Sequence, residues 1–181
     1  MPVHLPNWLI VYGTNRNSGK TTLITKIIRH FHDKVPVAGL KISPHFHPLE
    51  DDEIIVEKCE EYVITRESRT GTGKDSSRML AAGAREVYYV QVWDNNLAGV
   101  LPRIIELTGP ASAVICESGW ARNLVVPGVF LILHRKGGTD IKESTKVFKP
   151  LADRWIEFDG SGFDFNIEQL DYCGGKWELV R

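Results

Sequence analysis

Ten consecutive residues, Gly13-Thr14-Asn15-Arg16-Asn17-Ser18-Gly19-Lys20-Thr21-Thr22, constrain this chain more than any other stretch. They follow Trp8 to Tyr12 (WLIVY), an unbroken apolar run with the pattern of a strand buried on both faces of a parallel sheet. They precede Leu23, Ile24, Ile27, Ile28 and Phe31, which recur at helical spacing and predict an amphipathic helix over about 19–32. A buried strand that ends in a glycine-bounded polar turn and runs straight into such a helix is the arrangement of a phosphate-binding loop. Backbone N–H groups of the turn point at anionic oxygens, and the helix N-terminus adds partial positive charge. Gly19 lets the backbone approach closely, Lys20 sets an ammonium against terminal phosphates, and the Thr21 hydroxyl coordinates a Mg²⁺ that bridges them. Thr14, Asn15, Asn17, Ser18, Gly19, Lys20, Thr21 and Thr22 are thus the expected nucleotide-binding residues. The usual spacing, G-x-x-x-x-G-K-[ST], puts Thr14 rather than a glycine at its first position, with Gly13 one residue earlier. The bland alternative is a glycine-containing turn that only caps a helix.

The rest of the chain continues the alternation. Strands are expected over 35–42, 86–92, 111–116, 129–133 and 154–158, and helices over 74–84, 97–107 and 142–149. Pro102 lies inside one of those helices. Beta and alpha patterns taken in turn predict an α/β fold of three layers, a mainly parallel sheet covered by helices on both faces, in one nucleotide-binding domain over 1–181. The 43–73 segment fits least well and reads as a mobile insertion or a hairpin. Within it, the acidic run EDDE at 50–53 reads as a solvated loop rather than a metal site.

A phosphate loop needs a second anchor, an acidic residue at the end of another core strand that holds Mg²⁺ directly or through water. Glu117, which closes Ala113-Val114-Ile115-Cys116, meets that demand; a surface carboxylate at a strand end is the alternative. Lys41, at the end of the second strand, is placed to reach phosphate oxygens. Asp75 is a catalytic carboxylate that orients water or a substrate hydroxyl, a ligand that reaches Mg²⁺ through water, or an ordinary helix N-cap. His45 and His47 read as a weak Zn²⁺ or Ni²⁺ pair with Cys59 or the EDDE carboxylates, as a substrate-facing loop, or as exposed polar residues. Lys136 and Asp140 are loose candidates for flanking a base, and Arg122 lies either near phosphates or on the surface. The late aromatics Trp155, Phe158, Phe163, Phe165 and Trp177 read as core and terminal packing, and Cys116 as a buried, inert thiol.

Composition excludes several classes. Of 181 residues, 22 are Lys or Arg and 23 Asp or Glu, a net charge of −1 that gives no basic field for a polyanion, so nucleic-acid binding is not expected. With 43% hydrophobic and 25% charged residues the chain has ordinary globular composition. No apolar stretch approaches the roughly 20 residues of a membrane span, and MPVHLPNWLI lacks the basic start of a signal peptide. Three cysteines, far apart in sequence and with no CxxC pair, fit a reducing cytoplasm.

Four segments together resemble a known family: NSGKTTL at 17–23, GLK at 39–41 followed by His45 and His47, GKDSSRMLAAGA at 73–84, and the strand that ends in Glu117. The chain is similar over about 8–134 to the MobB family, the P-loop GTP-binding adapter proteins of molybdopterin-guanine dinucleotide biosynthesis. The resemblance implies a Mg²⁺-dependent protein that binds a purine nucleotide, GTP, and forms a homodimer. It also implies a role in assisting a molybdopterin nucleotidyltransferase, the partner that performs the transfer. The residues themselves offer no general base beyond Asp75 and no clear arginine finger, so any intrinsic GTP hydrolysis is expected to be slow. The Asn-Lys-x-Asp guanine motif of many GTPases is absent from the sequence. Two rival readings stay open: an ATP-dependent small-molecule kinase, and a non-catalytic adapter switched by nucleotide for another client.

Overall fold

A computed structural model of the chain describes residues 1–15, 17–50, 52–139 and 141–180. The apolar run around WLIVY becomes β1 (Val3–Gly13), and the amphipathic stretch becomes α1 (Lys20–Phe31). Next come β2 (Val37–Ser43), β3 (Ile54–Lys58), β4 (Tyr62–Arg66), α2 (Asp75–Ala81), β5 (Glu86–Val92), α3 (Leu97–Thr108) and β6 (Ala113–Glu117). A 3-10 turn, Trp120–Asn123, leads to β7 (Val125–Arg135), and α4 (Thr145–Phe148) to β8 (Arg154–Phe158). A C-terminal hairpin of β9 (Leu170–Cys173) and β10 (Lys176–Leu179) closes the chain.

Eight strands form one sheet in the order β3-β4-β5-β2-β6-β1-β7-β8. From β5 to β8 every neighbouring pair is parallel; β4 alone runs the other way, pairing antiparallel with both β3 and β5. The expectation of an α/β fold with a mainly parallel, helix-flanked sheet therefore holds. Trp8, Ile10 and Tyr12 face α3 and Phe148, while Leu9 and Val11 face α1 and Met79 of α2. The same strand thus feeds two hydrophobic clusters, the physical reason its sequence is apolar without interruption.

Three local differences from the sequence pattern have simple causes. The 43–73 segment contains the β3–β4 hairpin, which extends the sheet beyond β5. Its preceding loop is tied down by ions: Arg69 reaches Glu50 at 2.8 Å and Asp52 at 2.5 Å, and Lys74 reaches Glu50 at 2.7 Å and Glu53 at 2.9 Å. EDDE is therefore an ion-paired loop, with Asp51 outside the described residues. The helix expected over 142–149 is shorter: it begins only at Thr145, and at its end Pro150 tightens Lys149–Leu151 into a 3-10 turn. The C-terminal hairpin has no expected counterpart in the sequence; its four-residue strands are too short to show a period. Among the described residues, no helix is long and apolar enough to cross a membrane.

That hairpin completes the α1 side of the core. Trp177 is 1% exposed and sets its ring edge-on to Phe31, with centroids 4.8 Å apart. Replacing Trp177 by Ala should cost about 3–5 kcal/mol, the range for emptying a large aromatic site, read as a lower urea midpoint. A cost below about 1 kcal/mol would mean that the hairpin is not part of the cooperative core.

Candidate functional site

The 13–22 loop leaves the sheet at the C-terminal tip of β1. Thr14 is still held by the ladder: its N–H donates to the Leu133 carbonyl at 2.9 Å, and its own carbonyl accepts from the Lys142 N–H at 2.9 Å. Its side chain is fully buried, with the hydroxyl 3.4 Å from His134 Nδ1. Asn17 and Gly19 then adopt left-handed φ values of 58° and 86°. These reverse the chain into α1, whose first N–H groups are capped by no side chain. Glycine takes that conformation without a Cβ penalty, and a Cβ at Gly19 would also lie 2.8 Å from the Phe158 ring.

Gly13 explains the off-pattern spacing. A Cβ there would sit 2.2 Å from Ser18 Oγ and 2.7 Å from Lys20 Cδ. The loop folds back so tightly that Ser18 and the stem of Lys20 lie on the Gly13 backbone. The glycine is needed where the fold-back lands, one residue before the position at which the common spacing places it. Asn15 Oδ1 and Ser18 Oγ are buried beneath this loop with no hydrogen-bond partner among the described residues.

Parallel register brings the other polar groups to the same tips. Val11 of β1 pairs with Glu117 of β6, which pairs with Lys41 of β2. Asp75, the first residue of α2, accepts from Thr21 Oγ1 at 2.9 Å and from Lys41 Nζ. The N-cap alternative for Asp75 therefore does not hold: Lys74 occupies the N-cap position, and both Asp75 oxygens are taken by Thr21 and Lys41. A cavity of about 440 Å³ opens between Lys20, Thr21, Thr22, Asp75, Glu117 and Arg135.

Burial and charge set the protonation of this centre. Burial lowers the pKa of Lys20, against the pull of Glu117 and Asp75. Burial opposes the charge on Lys41, yet Glu117 and the hydrogen bond to Asp75 outweigh it and hold its pKa above the ordinary lysine value. Burial likewise works to raise Asp75, but Lys41 and Thr21 hold it below the ordinary aspartate value. Glu117 is 8% exposed, and burial, with Asp75 adding to it, raises its pKa despite Lys41 and Lys20. Its Oε2 has no hydrogen-bond partner among the described residues. A buried carboxylate oxygen left bare is costly, and a cation would satisfy it.

Among the described residues no group of three or more His, Cys, Asp and Glu side chains forms a metal site by itself. A cation here would take the Thr21 hydroxyl, Asp75 and Glu117, and draw its remaining oxygens from a bound ligand. Among the described residues, His45 and His47 do not gather further ligands. His45 is exposed, the His47 N–H donates to Gln91 Oε1 at 2.6 Å, and Cys59 is exposed at the β3–β4 turn. Arg122 donates to the Val125 carbonyl at 3.2 Å and lies over the Phe130 ring at 5.7 Å, a packing role. Lys136 is 68% exposed and 3.6 Å from Glu157; Asp140, like Arg16 of the loop, lies outside the described residues.

Some site-lining residues give little signal in sequence. Arg78 and Arg135 border the loop cavity, as does Phe158. Phe158 and Phe163 stack on each other at 4.9 Å beside Gly19, with Phe163 partly buried against the α1 side of the core, whereas Trp177 and Phe165 are buried. Cys116 is a buried strand residue whose thiol is pushed far up by burial. Each basic residue could have been read as surface; only the parallel alignment of strand tips collects them.

Comparison of the chain with protein-family models, with curated proteins and with solved structures finds no match.

Lys41 holds with its ammonium the carboxylate that a divalent cation would need. Replacing Lys41 by Met should therefore tighten binding of Mn²⁺ alone about ten-fold, followed by the loss of the free-ion electron paramagnetic resonance signal. Unchanged or weaker Mn²⁺ binding would show that Lys41 does not compete for that place.

Proposed function

We propose that the chain is a P-loop protein that binds a Mg²⁺–purine nucleoside triphosphate on the 13–22 loop. We further propose that the nucleotide is GTP and that the protein serves as an adapter to a molybdopterin nucleotidyltransferase. The observation that carries the nucleotide reading is the bare, buried Oε2 of Glu117, which lines one cavity together with Lys20, Thr21 and Asp75. A helix-capping turn needs none of these. The uncapped N–H groups of α1 and the fold-back of Lys20 onto Gly13 support the same reading. GTP in preference to ATP, and the adapter role, rest on the resemblance of the 17–23, 39–41 and 73–84 segments to the MobB family.

In this reading the loop N–H groups and Lys20 bind the phosphates, and Thr21, Asp75 and Glu117 hold Mg²⁺. When bound, the ion neutralises charge on the phosphate oxygens. Lys20 and the loop stabilise negative charge that grows on a departing phosphoryl group. Asp75 is a poor general base, because its oxygens are engaged by Thr21 and Lys41 and its pKa lies below the ordinary value. It orients groups rather than taking protons, so intrinsic hydrolysis is slow. This suits an adapter whose bound nucleotide sets a conformation.

Calorimetric titration with non-hydrolysable GTP and ATP analogues, with and without Mg²⁺, tests the reading. Tight, Mg²⁺-dependent binding of the GTP analogue is expected. Lys20→Ala should weaken it about 100-fold, and Thr21→Ala should remove most of the Mg²⁺ dependence. Undiminished affinity in Lys20→Ala would refute the phosphate-loop assignment, and a preference for the ATP analogue would move the reading toward a kinase.

A further inference from the structure

A second cavity, of about 280 Å³, lies at the C-terminal tips of β1, β6 and β2, next to the loop cavity. The two share Lys20 and Glu117 as lining residues. Lys41 and Lys142 also line the second one, so three ammonium groups surround it. Against them stand Glu117 and Asp94. Lys142 is anchored there: its backbone N–H is bonded to Thr14, and its Nζ lies 5.5 Å from the centre of the Tyr12 ring. Tyr12 is fixed in turn by hydrogen bonds from its hydroxyl to Ser144 at 2.9 Å and Thr145 at 3.0 Å.

The same cavity has one exposed aromatic side chain in its lining. Trp120 lines it and is 41% exposed, although its indole N–H is fixed on the Asp94 carbonyl at 3.0 Å. Close by in the chain, Trp93 is 51% exposed and sets its ring 5.1 Å from that of Phe46, which follows the lining residue His45. Large aromatic side chains usually bury their surface, and those left open beside a concave, lysine-lined cavity mark a binding site more often than scattered exposure does. Three ammonium groups around one cavity, that of Lys41 shared with Asp75, call for an anion with several acceptor oxygens, as a phosphate has, and the exposed indole of Trp120 calls for a flat, apolar body.

We propose that this cavity is a second ligand site, for a small planar aromatic molecule that carries a phosphate-like dianion. The anion meets Lys41 and Lys142, and the ring rests on Trp120. The volume lies at the small end of the range for ligand pockets, about 300–1,000 Å³, which sets the ligand at the size of a simple metabolite. The site rests on the nucleotide reading only for its relation to the loop: through Lys20 and Glu117 the dianion would face the terminal phosphate of the nucleotide.

The probe is 1-naphthyl phosphate, titrated calorimetrically into the full chain with and without a saturating Mg²⁺–GTP analogue. One-to-one saturable binding is expected in both conditions, with 1-naphthol, 1-naphthoate and inorganic phosphate at least about ten-fold weaker. Lys142→Gln and Trp120→Ala should each weaken the probe about ten-fold and leave the affinity for the GTP analogue within about two-fold. Circular-dichroism melts establish that both variants are folded. Absence of saturable binding, or binding indifferent to both substitutions, would overturn the proposal. So would disappearance of the titration once nucleotide is bound, since the probe would then be occupying the phosphate loop. If the GTP analogue itself fails to bind, the nucleotide reading falls, while the titrations without nucleotide still decide on this site.

Discussion

The close approach of Ser18 and Lys20 to the backbone of Gly13 is the constraint on which the site depends. With no side chain at Gly13, the loop can fold back onto the tip of β1 and release α1 in the opposite direction. Two left-handed residues, Asn17 and Gly19, make that reversal, and the ladder bonds of Thr14 hold its base. Any side chain at Gly13 would force Lys20 outward and separate its ammonium from Glu117. The position of the lysine is thus fixed by backbone packing before electrostatics acts on it.

The sheet then supplies what the loop lacks. Because β1, β6 and β2 are parallel neighbours, their C-terminal tips lie side by side, and residues distant in sequence meet there. This is the general place for ligands in open α/β sheets, outside the carboxyl ends of the strands where the chain order reverses. Glu117 ends the buried strand β6 and Lys41 lies beside it near the end of β2, so each carries a charge into a region of low polarity. Their mutual attraction and the contact of Lys41 with Asp75 offset part of that cost. The offset is incomplete, since Glu117 Oε2 has no hydrogen-bond partner among the described residues, and the cation proposed for this site would complete it.

The legible parts of the sequence were those with a strong local period or a local rule. WLIVY gave its strand because burial on both faces leaves no polar position, and 86–92 and 154–158 were readable at the same bounds. GKTT located the turn, and Glu117 was found as a carboxylate closing an apolar run. Asp75 has more than one reading in sequence, because an aspartate at a helix start reads as a cap unless the partner across space is known. Here that partner is Thr21, 54 residues earlier in the chain. Phe158 and Phe163 read as core because aromatic residues usually are; only the fold puts them beside Gly19. The β3–β4 hairpin and the hairpin of β9 and β10 were illegible or ambiguous because short edge elements are stabilised by what they pack on, not by their own pattern.

Hydrogen–deuterium exchange of the full chain, compared with and without the Mg²⁺–GTP analogue, tests the central claim most directly. The account predicts slower exchange for the backbone amides of the 13–22 loop and the first turn of α1, with α2 around Asp75 protected to a lesser degree and the C-terminal hairpin unchanged. Protection confined to other parts of the chain, with the loop amides exchanging at the same rate in both states, would contradict it.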